Sequence, residues 1–162
     1  MSRSFRSSAS LCKRQKYYVA IAGLLKRGYN VYLTLVDDQG IDCVVRQGPN
    51  KYFDIRVKAR SKDANPKNAG HFPQLLIQEP RKSYVFIFYS EAAGETGTHW
   101  VIPSAKFPEK GFCNTLISGL NKGRYRIQLT NFSKCRGLVT PRSKYKSFIN
   151  AFEDYLGPPS KI

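Results

Sequence analysis

The sequence predicts an α/β protein with a mixed central β-sheet flanked by helices. Three observations support this fold class: an amphipathic helical stripe near the N-terminus, several short apolar runs between turn residues, and a second helical stripe near the C-terminus. The chain has 162 residues, of which 41% are hydrophobic, and this is enough for one domain with its own core. We therefore expect one domain over residues 13–162, preceded by a flexible basic arm over residues 1–12.

The predicted helices and strands follow one another along most of the chain. The first helix is expected to end at Gly28, and a closing helix over residues 143–156 is expected to begin with Ser143 as its cap. Residues 61–74 are predicted to form a long irregular connection beside the candidate site, which lies in the hairpin at residues 40–60. The first helix has its apolar stripe at Tyr18, Ile21, Ala22 and Leu25, and strands are predicted at residues 30–36, 41–46, 51–59, 83–89, 98–103 and 123–130.

The strand at residues 83–89 is the strongest of these predictions. Its sequence is almost continuously apolar, which is typical of a central strand covered on both faces. The next strand should end at Pro103, and residues 104–111 predict a short helical or irregular turn. This order of elements predicts a mixed sheet flanked by helices.

The charge of the chain points to a polyanionic partner. It has 27 Lys and Arg residues against 11 Asp and Glu residues, a formal net charge of +16. Nucleic acid is a better candidate than a membrane, because no stretch approaches the roughly 18 apolar residues that a spanning helix needs. The alternative is that the cations are spread over a solvated face without a specific partner.

A cluster of cations near the C-terminus predicts one positive surface. Tyr125 and Tyr145 are interleaved with it and could stack on bases or contact the backbone. The alternative is a solvated strand edge that its charges protect from aggregation. The cluster consists of Lys122, Arg124, Arg126, Lys134, Arg136, Arg142, Lys144 and Lys146.

The cysteines and histidines indicate no metal centre of their own. The four cysteines are scattered without a C-x-x-C pair, so we read them as reduced thiols of a cytoplasmic protein. His71 and His99 stand alone in the sequence, and a zinc site built from these residue types is not expected.

The hairpin at residues 40–60 contains a carboxylate and a lysine at matching positions. Strand alternation places Asp54, Arg56 and Lys58 on one face, and a neighbouring strand could project Asp42 toward Lys58. Such a pair could hold a divalent metal against a phosphate, with the ammonium group stabilising negative charge. The alternative is a surface ion pair without a function.

Residues 17–45 and 53–60 resemble the core of the PD-(D/E)XK nuclease superfamily, including its small endonuclease-like and Holliday junction resolvase-like members. The resemblance rests on a helix, a strand, the sequence "GID" and a strand that ends in a lysine. It implies a restriction-endonuclease-like core, Asp42 as the metal-binding aspartate, Lys58 as the catalytic lysine and Mg²⁺ as the cofactor. It also suggests a homodimer.

The sequence departs from the superfamily pattern at the metal site. Arg56 stands two residues before the lysine, where the family carries Glu, Asp or Gln, and a guanidinium there would repel a cation. No glutamate occurs before Glu79, although many relatives carry one on the first helix. Asp37 and Asp38 could replace the missing acids only if their loop folds back.

Three functions compete on this basis. We favour a nucleic-acid-binding protein with weak or lost metal-dependent cleavage, with DNA preferred to RNA as the ligand. The alternatives are an active Mg²⁺-dependent DNA endonuclease, and a basic interaction protein that docks an acidic protein partner. The residues expected to bind nucleic acid are Arg56, Lys122, Arg124, Arg126, Arg142 and Lys144.

Overall fold

The computed structural model describes residues 8–34, 40–93 and 96–159. Within these ranges the chain forms two α-helices, ten strands and three short 3-10 helices. The helices are α1 (Ser8–Lys26) and α2 (Phe152–Leu156), and the 3-10 helices span Pro66–Asn68, Ser104–Lys106 and Ser143–Phe148. The strands are β1 (Asn30–Leu33), β2 (Cys43–Arg46), β3 (Tyr52–Arg60), β4 (His71–Leu75), β5 (Tyr84–Ser90), β6 (Thr98–Pro103), β7 (Asn114–Thr115), β8 (Tyr125–Gln128), β9 (Thr130–Ser133) and β10 (Leu138–Pro141).

The central sheet is mixed, which confirms the predicted fold class. Its strand order is β1-β2-β3-β5-β6. The β3 and β5 strands run parallel, whereas β1-β2, β2-β3 and β5-β6 are antiparallel pairs. All seven residues of β5 are buried, as expected for a strand in the middle of the sheet. The strand β6 ends at Pro103, and a 3-10 turn follows directly, as the sequence predicts.

Each face of the central sheet has its own apolar core. On one face, Ala20 and Leu24 of α1 and Phe152 of α2 pack against alternate residues of the strands. On the other face, Phe86 and Phe88 of β5 pack against residues of a small sheet with the order β4-β8-β7. The sheet is therefore flanked by helices on one face and by a second, smaller sheet on the other.

The buried stripe of α1 is shifted from the predicted one. Ile21 is buried as expected, but Tyr18 and Leu25 are 58% and 54% exposed. Gly28 does end the helix, with φ at 82°. The amide of Gly28 donates to Leu25 and that of Tyr29 donates to Leu24, which is the hydrogen-bond pattern of a Schellman motif. The helix begins at Ser8, so its first residues belong to the segment that we expected to be a flexible arm.

The predicted closing helix is split into two short pieces. Asn150 adopts the left-handed region at φ 52°, and its amide donates to the carbonyl of His99 at 3.0 Å. This bond to β6 interrupts the helix after the 3-10 turn Ser143–Phe148. Ser143 is the first residue of that turn and not its cap, because Arg142 occupies the cap position.

The segment at residues 61–74, predicted to be irregular, contains a 3-10 helix and most of β4. His71 therefore begins a strand. Arg60 fixes its position, since the Nε and Nη2 atoms of Arg60 donate to the carbonyl of His71 at 3.1 and 2.8 Å. Among the residues that the structure describes, no helix is both long enough and apolar enough to cross a membrane.

Candidate nucleic-acid interface

The β2-β3 hairpin brings Asp42 and Lys58 to the same cavity. Cys43 pairs with Ile55 across the two strands, and the amide of Asp42 donates to the carbonyl of Ile55 at 2.8 Å. The Asp42 carboxylate accepts a hydrogen bond from the Val57 amide at 2.6 Å. The cavity has a volume of about 760 Å³ and is lined by Tyr17, Asp42, Val57, Lys58, Ala59, Arg60, Phe72, Pro73, Gln74 and Leu75.

Two neighbouring elements hold the main chain at Asp42. The hydroxyl of Tyr17 on α1 donates to the Asp42 carbonyl at 3.0 Å. The hydroxyl of Thr34, directly after β1, donates to the same carbonyl at 3.0 Å and to that of Ile41 at 2.8 Å. The carboxylate is thus attached to a backbone that α1, β1 and β3 constrain together, which is the kind of support a binding site requires.

Arg56 lies beside Gly40 and is not among the described residues that line the cavity. A methyl group added at Gly40 would overlap the Arg56 guanidinium, and Gly40 has φ at 70°. A glycine is therefore required there both for the backbone conformation and for the close approach of the arginine. Arg56 is half-buried, and it directly precedes Val57, whose amide binds the Asp42 carboxylate.

The acids available to a metal ion are few. The Asp54 carboxylate forms an ion pair with Arg81 at 2.6 Å, so its charge is balanced by the guanidinium. In residues 8–34, 40–93 and 96–159 no group of three His, Cys, Asp or Glu side chains could hold a metal ion together. Asp42 is the one acid among the described residues of the cavity, and Asp37 and Asp38 lie outside the described residues. A single carboxylate makes a poor magnesium site, because Mg²⁺ prefers six oxygens in octahedral geometry.

Cations from two distant parts of the sequence lie on either side of β4, which lines the cavity. Phe72 pairs with Ile127 and Leu75 with Tyr125, so Pro73 and Gln74 on β4 both lie opposite the single residue Arg126 on β8. Arg60 lies at the other side of β4 through its bonds to His71. Burial, together with Arg126 and Arg60, lowers the pKa of His71, so that this side chain is neutral at pH 7.

These contacts define a basic track consisting of Lys58, Arg60, Arg126 and Arg124. It begins in the cavity and continues along β8, where Tyr125 and Ile127 pack toward the core and the alternate residues face outward. The track groups two cations of the β2-β3 hairpin with two cations of the C-terminal cluster. Cations that neutralise phosphates supply the sequence-independent part of the affinity for DNA.

The remaining predicted contacts lie elsewhere. Lys122 is exposed in the turn before β8. Arg142 is exposed, and its Nε donates to the carbonyl of Thr130 at 3.2 Å. Lys144 is exposed and donates to the carbonyl of Gly111, with its ammonium 5.3 Å from the centre of the Tyr145 ring. Arg142 and Lys144 therefore help to hold the C-terminal segment in place.

Sequence reasoning did not identify Tyr17, Arg60 and Gln74 as residues of this cavity. Tyr17 and Arg60 carry no signal that separates them from other helix and strand residues. Gln74 follows Pro73, and a proline inside a strand often indicates a bulge. The structure has this bulge between Phe72 and Leu75.

Gln74 is strained. Its φ of 61° lies in the left-handed region, which costs a residue with a side chain about 1–2 kcal/mol. Replacing Gln74 by glycine should therefore raise the free energy of unfolding by about 1 kcal/mol, measured by urea denaturation. The Gln74→Ala variant is the control, since it keeps the strain and should show no such gain. Equal free energies of unfolding for the two variants would contradict the claim that the backbone at Gln74 is strained.

The fold is similar to that of a bacterial homing endonuclease, I-Ssp6803I. The TM-score is 0.53 and the sequence identity 17%, and the similarity covers 92% of each chain. At this identity the similarity concerns the fold, which is endonuclease-like. No family model and no curated protein matches the sequence. Membership of the PD-(D/E)XK superfamily stays a prediction.

Proposed function

We propose that this protein binds duplex DNA through the cavity of Asp42 and Lys58 and the basic track beside it. The observation that supports this most strongly is that Lys58 and Arg60 line the same cavity as the β4 bulge, while Arg126 lies opposite that bulge on β8. A net charge of +16 and a fold similar to that of a homing endonuclease support the same conclusion.

We further propose that metal-dependent cleavage is weak or lost. The described part of the cavity offers one carboxylate, and one of its oxygens already accepts the Val57 amide. Arg56 carries a positive charge at the strand position where the resemblance requires an acid. An ion at Asp42 would therefore have few protein ligands and a nearby like charge.

The second candidate is an active Mg²⁺-dependent DNA endonuclease. The placement of Asp42 and Lys58 in one cavity favours it, since phosphodiester cleavage requires a metal ligand and a cation near the same phosphate. The two candidates differ in one observable. Cleavage of a plasmid with Mg²⁺ or Mn²⁺ that the Asp42→Asn variant abolishes would favour the enzyme over the binding protein.

Binding to duplex DNA should be strongly salt-dependent and nearly independent of sequence. If the four cations of the basic track each neutralise one phosphate, the logarithm of the association constant should fall with the logarithm of the salt concentration at a slope of about −3.6. Between about 50 and 200 mM salt this corresponds to a loss of roughly a hundredfold. Fluorescence anisotropy with a labelled mixed-sequence duplex measures the slope.

Two results of this titration would contradict the proposed function. Absence of binding at low salt would exclude DNA as the ligand and leave an acidic protein partner. Binding that does not change with salt would exclude the basic track as the contact surface, because phosphate contacts release counterions.

A further inference from the structure

The turn that connects β7 to β8 exposes two large aliphatic side chains. Ile117 is 84% exposed and Leu120 is fully exposed at 103%. Single exposed apolar residues are normal, but two within four positions at the end of one hairpin make a small apolar tip. The tip contributes nothing to the two cores of the fold, and its exposure favours aggregation.

The backbone of this tip is ordered by its own hydrogen bonds. The amide of Leu116 donates to Arg124 and the amide of Gly123 donates to Leu116, both at 2.8 Å. Inside this pair, the Lys122 amide donates to Gly119 at 3.1 Å, and the Arg124 amide donates to Asn121 at 3.1 Å. The exposed side chains are thus carried by a preorganised hairpin, which reduces the entropy that binding would cost.

Cations follow the tip directly. Lys122 is exposed in the turn, and Arg124 and Arg126 continue the same strand toward the cavity. The basic track therefore ends at the apolar tip. A ligand that follows the track from the cavity reaches Ile117 and Leu120 next.

We propose that Ile117 and Leu120 form a wedge that inserts between base pairs of duplex DNA. Architectural DNA-binding proteins use Leu, Ile and similar residues in this way, and the insertion partly unstacks a base step and kinks the duplex. The flanking cations bind the phosphates on either side of the step. This inference rests on the proposed function, since it assigns a further contact and a bend to the same DNA complex.

Charge and size favour DNA over the other ligands of an apolar tip. Two aliphatic side chains anchor a protein to a bilayer more weakly than one myristoyl chain, whose own binding is marginal. An apolar docking site on another protein would not explain the cations on the same strand. A duplex offers both phosphates and a stacked apolar interior within the reach of one hairpin.

The Ile117→Ser/Leu120→Ser double variant tests the wedge. Its affinity for a duplex should be about tenfold lower, because apolar burial is lost, while the salt slope stays unchanged, because no charge is removed. A duplex labelled at both ends should show shorter end-to-end distance by energy transfer with the wild type than with the variant. The control is Leu138→Ser, which changes an exposed leucine on β10 and should alter neither quantity.

A Leu120→Trp variant reports the insertion directly. The single natural tryptophan, Trp100, is buried, so its emission gives a constant background. Stacking on bases should quench the fluorescence of the new tryptophan when the duplex is added. The Ser/Ser variant and the tryptophan variant should both keep the thermal stability of the wild type.

Several outcomes would overturn the inference. An unchanged affinity and an unchanged duplex length in the Ser/Ser variant, with normal binding by the wild type, would exclude the wedge and leave the proposed function intact. A blue shift with phosphatidylserine vesicles but no quenching by DNA would assign the tip to a lipid surface. If the wild type sediments as a dimer and the Ser/Ser variant as a monomer, and both bind DNA equally well, the tip would be assigned to contact with a second copy of the chain. Failure of the wild type to bind DNA at low salt would refute the proposed function itself.

Discussion

The Arg56→Glu variant should lose at least about tenfold in affinity for duplex DNA and should gain a binding site for Mn²⁺. The loss follows because a cation one residue from Val57 of the cavity lining becomes an anion, which repels phosphates bound nearby. The gain follows because residue 56 lies between Ile55, whose carbonyl accepts the Asp42 amide, and Val57, whose amide binds the Asp42 carboxylate. A second carboxylate on this neighbouring stretch of backbone can share one ion with Asp42.

Isothermal titration with Mn²⁺ and anisotropy with labelled duplex measure these two effects. Arg56→Gln is the matched control, since it removes the charge without adding a carboxylate and should lower DNA affinity without creating a strong metal site. In the presence of Mn²⁺ the glutamate variant should also nick plasmid DNA more than the wild type. An Arg56→Glu variant that binds DNA as well as the wild type would show that Arg56 is not near the phosphates.

Much of the fold could be predicted because the relevant signals are local. Alternation along β3 correctly separated the buried Phe53, Ile55 and Val57 from the polar Asp54 and its neighbours. The continuous apolar run of β5 correctly predicted a buried inner strand of the sheet. The Gly-Pro-Asn turn correctly predicted the β2-β3 hairpin. This hairpin brings Asp42 and Lys58 to the same cavity.

The errors arose where distant residues decide the local structure. Asn150 breaks the closing helix because its amide bonds to His99, about fifty positions earlier in the chain. No helical periodicity reveals such a partner. The strand β4 escaped prediction because it is short, contains Pro73 and depends on pairing with β8.

The candidate site could be predicted only in part for the same reason. Asp42 and Lys58 belong to one hairpin, so their proximity follows from sequence alone. Gln74 lines the cavity and Arg126 lies opposite it because β4 pairs with β8, and periodicity does not reveal this pairing. The sequence therefore predicted two separate basic surfaces, whereas the structure places a member of each, Arg60 and Arg126, beside β4.

Removal of the Lys58 ammonium should have the second large effect on binding. Lys58 lies in the cavity near the end of β3 and begins the basic track. The Lys58→Ala variant should bind duplex DNA about tenfold more weakly at low salt and lower the magnitude of the salt slope by about 0.9, since one phosphate contact is lost. The side chain is only half-buried, so the change should leave the fold intact.

Lys82→Ala is the matched control for this variant. Lys82 is an exposed lysine just before β5 and belongs to a different cavity, which Lys51 and Tyr52 at the start of β3 also line. Because β3 and β5 are parallel, Lys82 lies at the opposite end of the sheet from Lys58, about 20 Å along the strands. That separation exceeds the screening length of about 10 Å at 0.1 M salt.

The most direct test of DNA binding at this cavity is one salt series of duplex titrations with the wild type, Lys58→Ala and Lys82→Ala. We expect the slope to change by about one phosphate in Lys58→Ala and to stay at the wild-type value in Lys82→Ala. Equal losses in the two variants, or a loss only in Lys82→Ala, would place the DNA elsewhere on the protein and contradict the proposed interface.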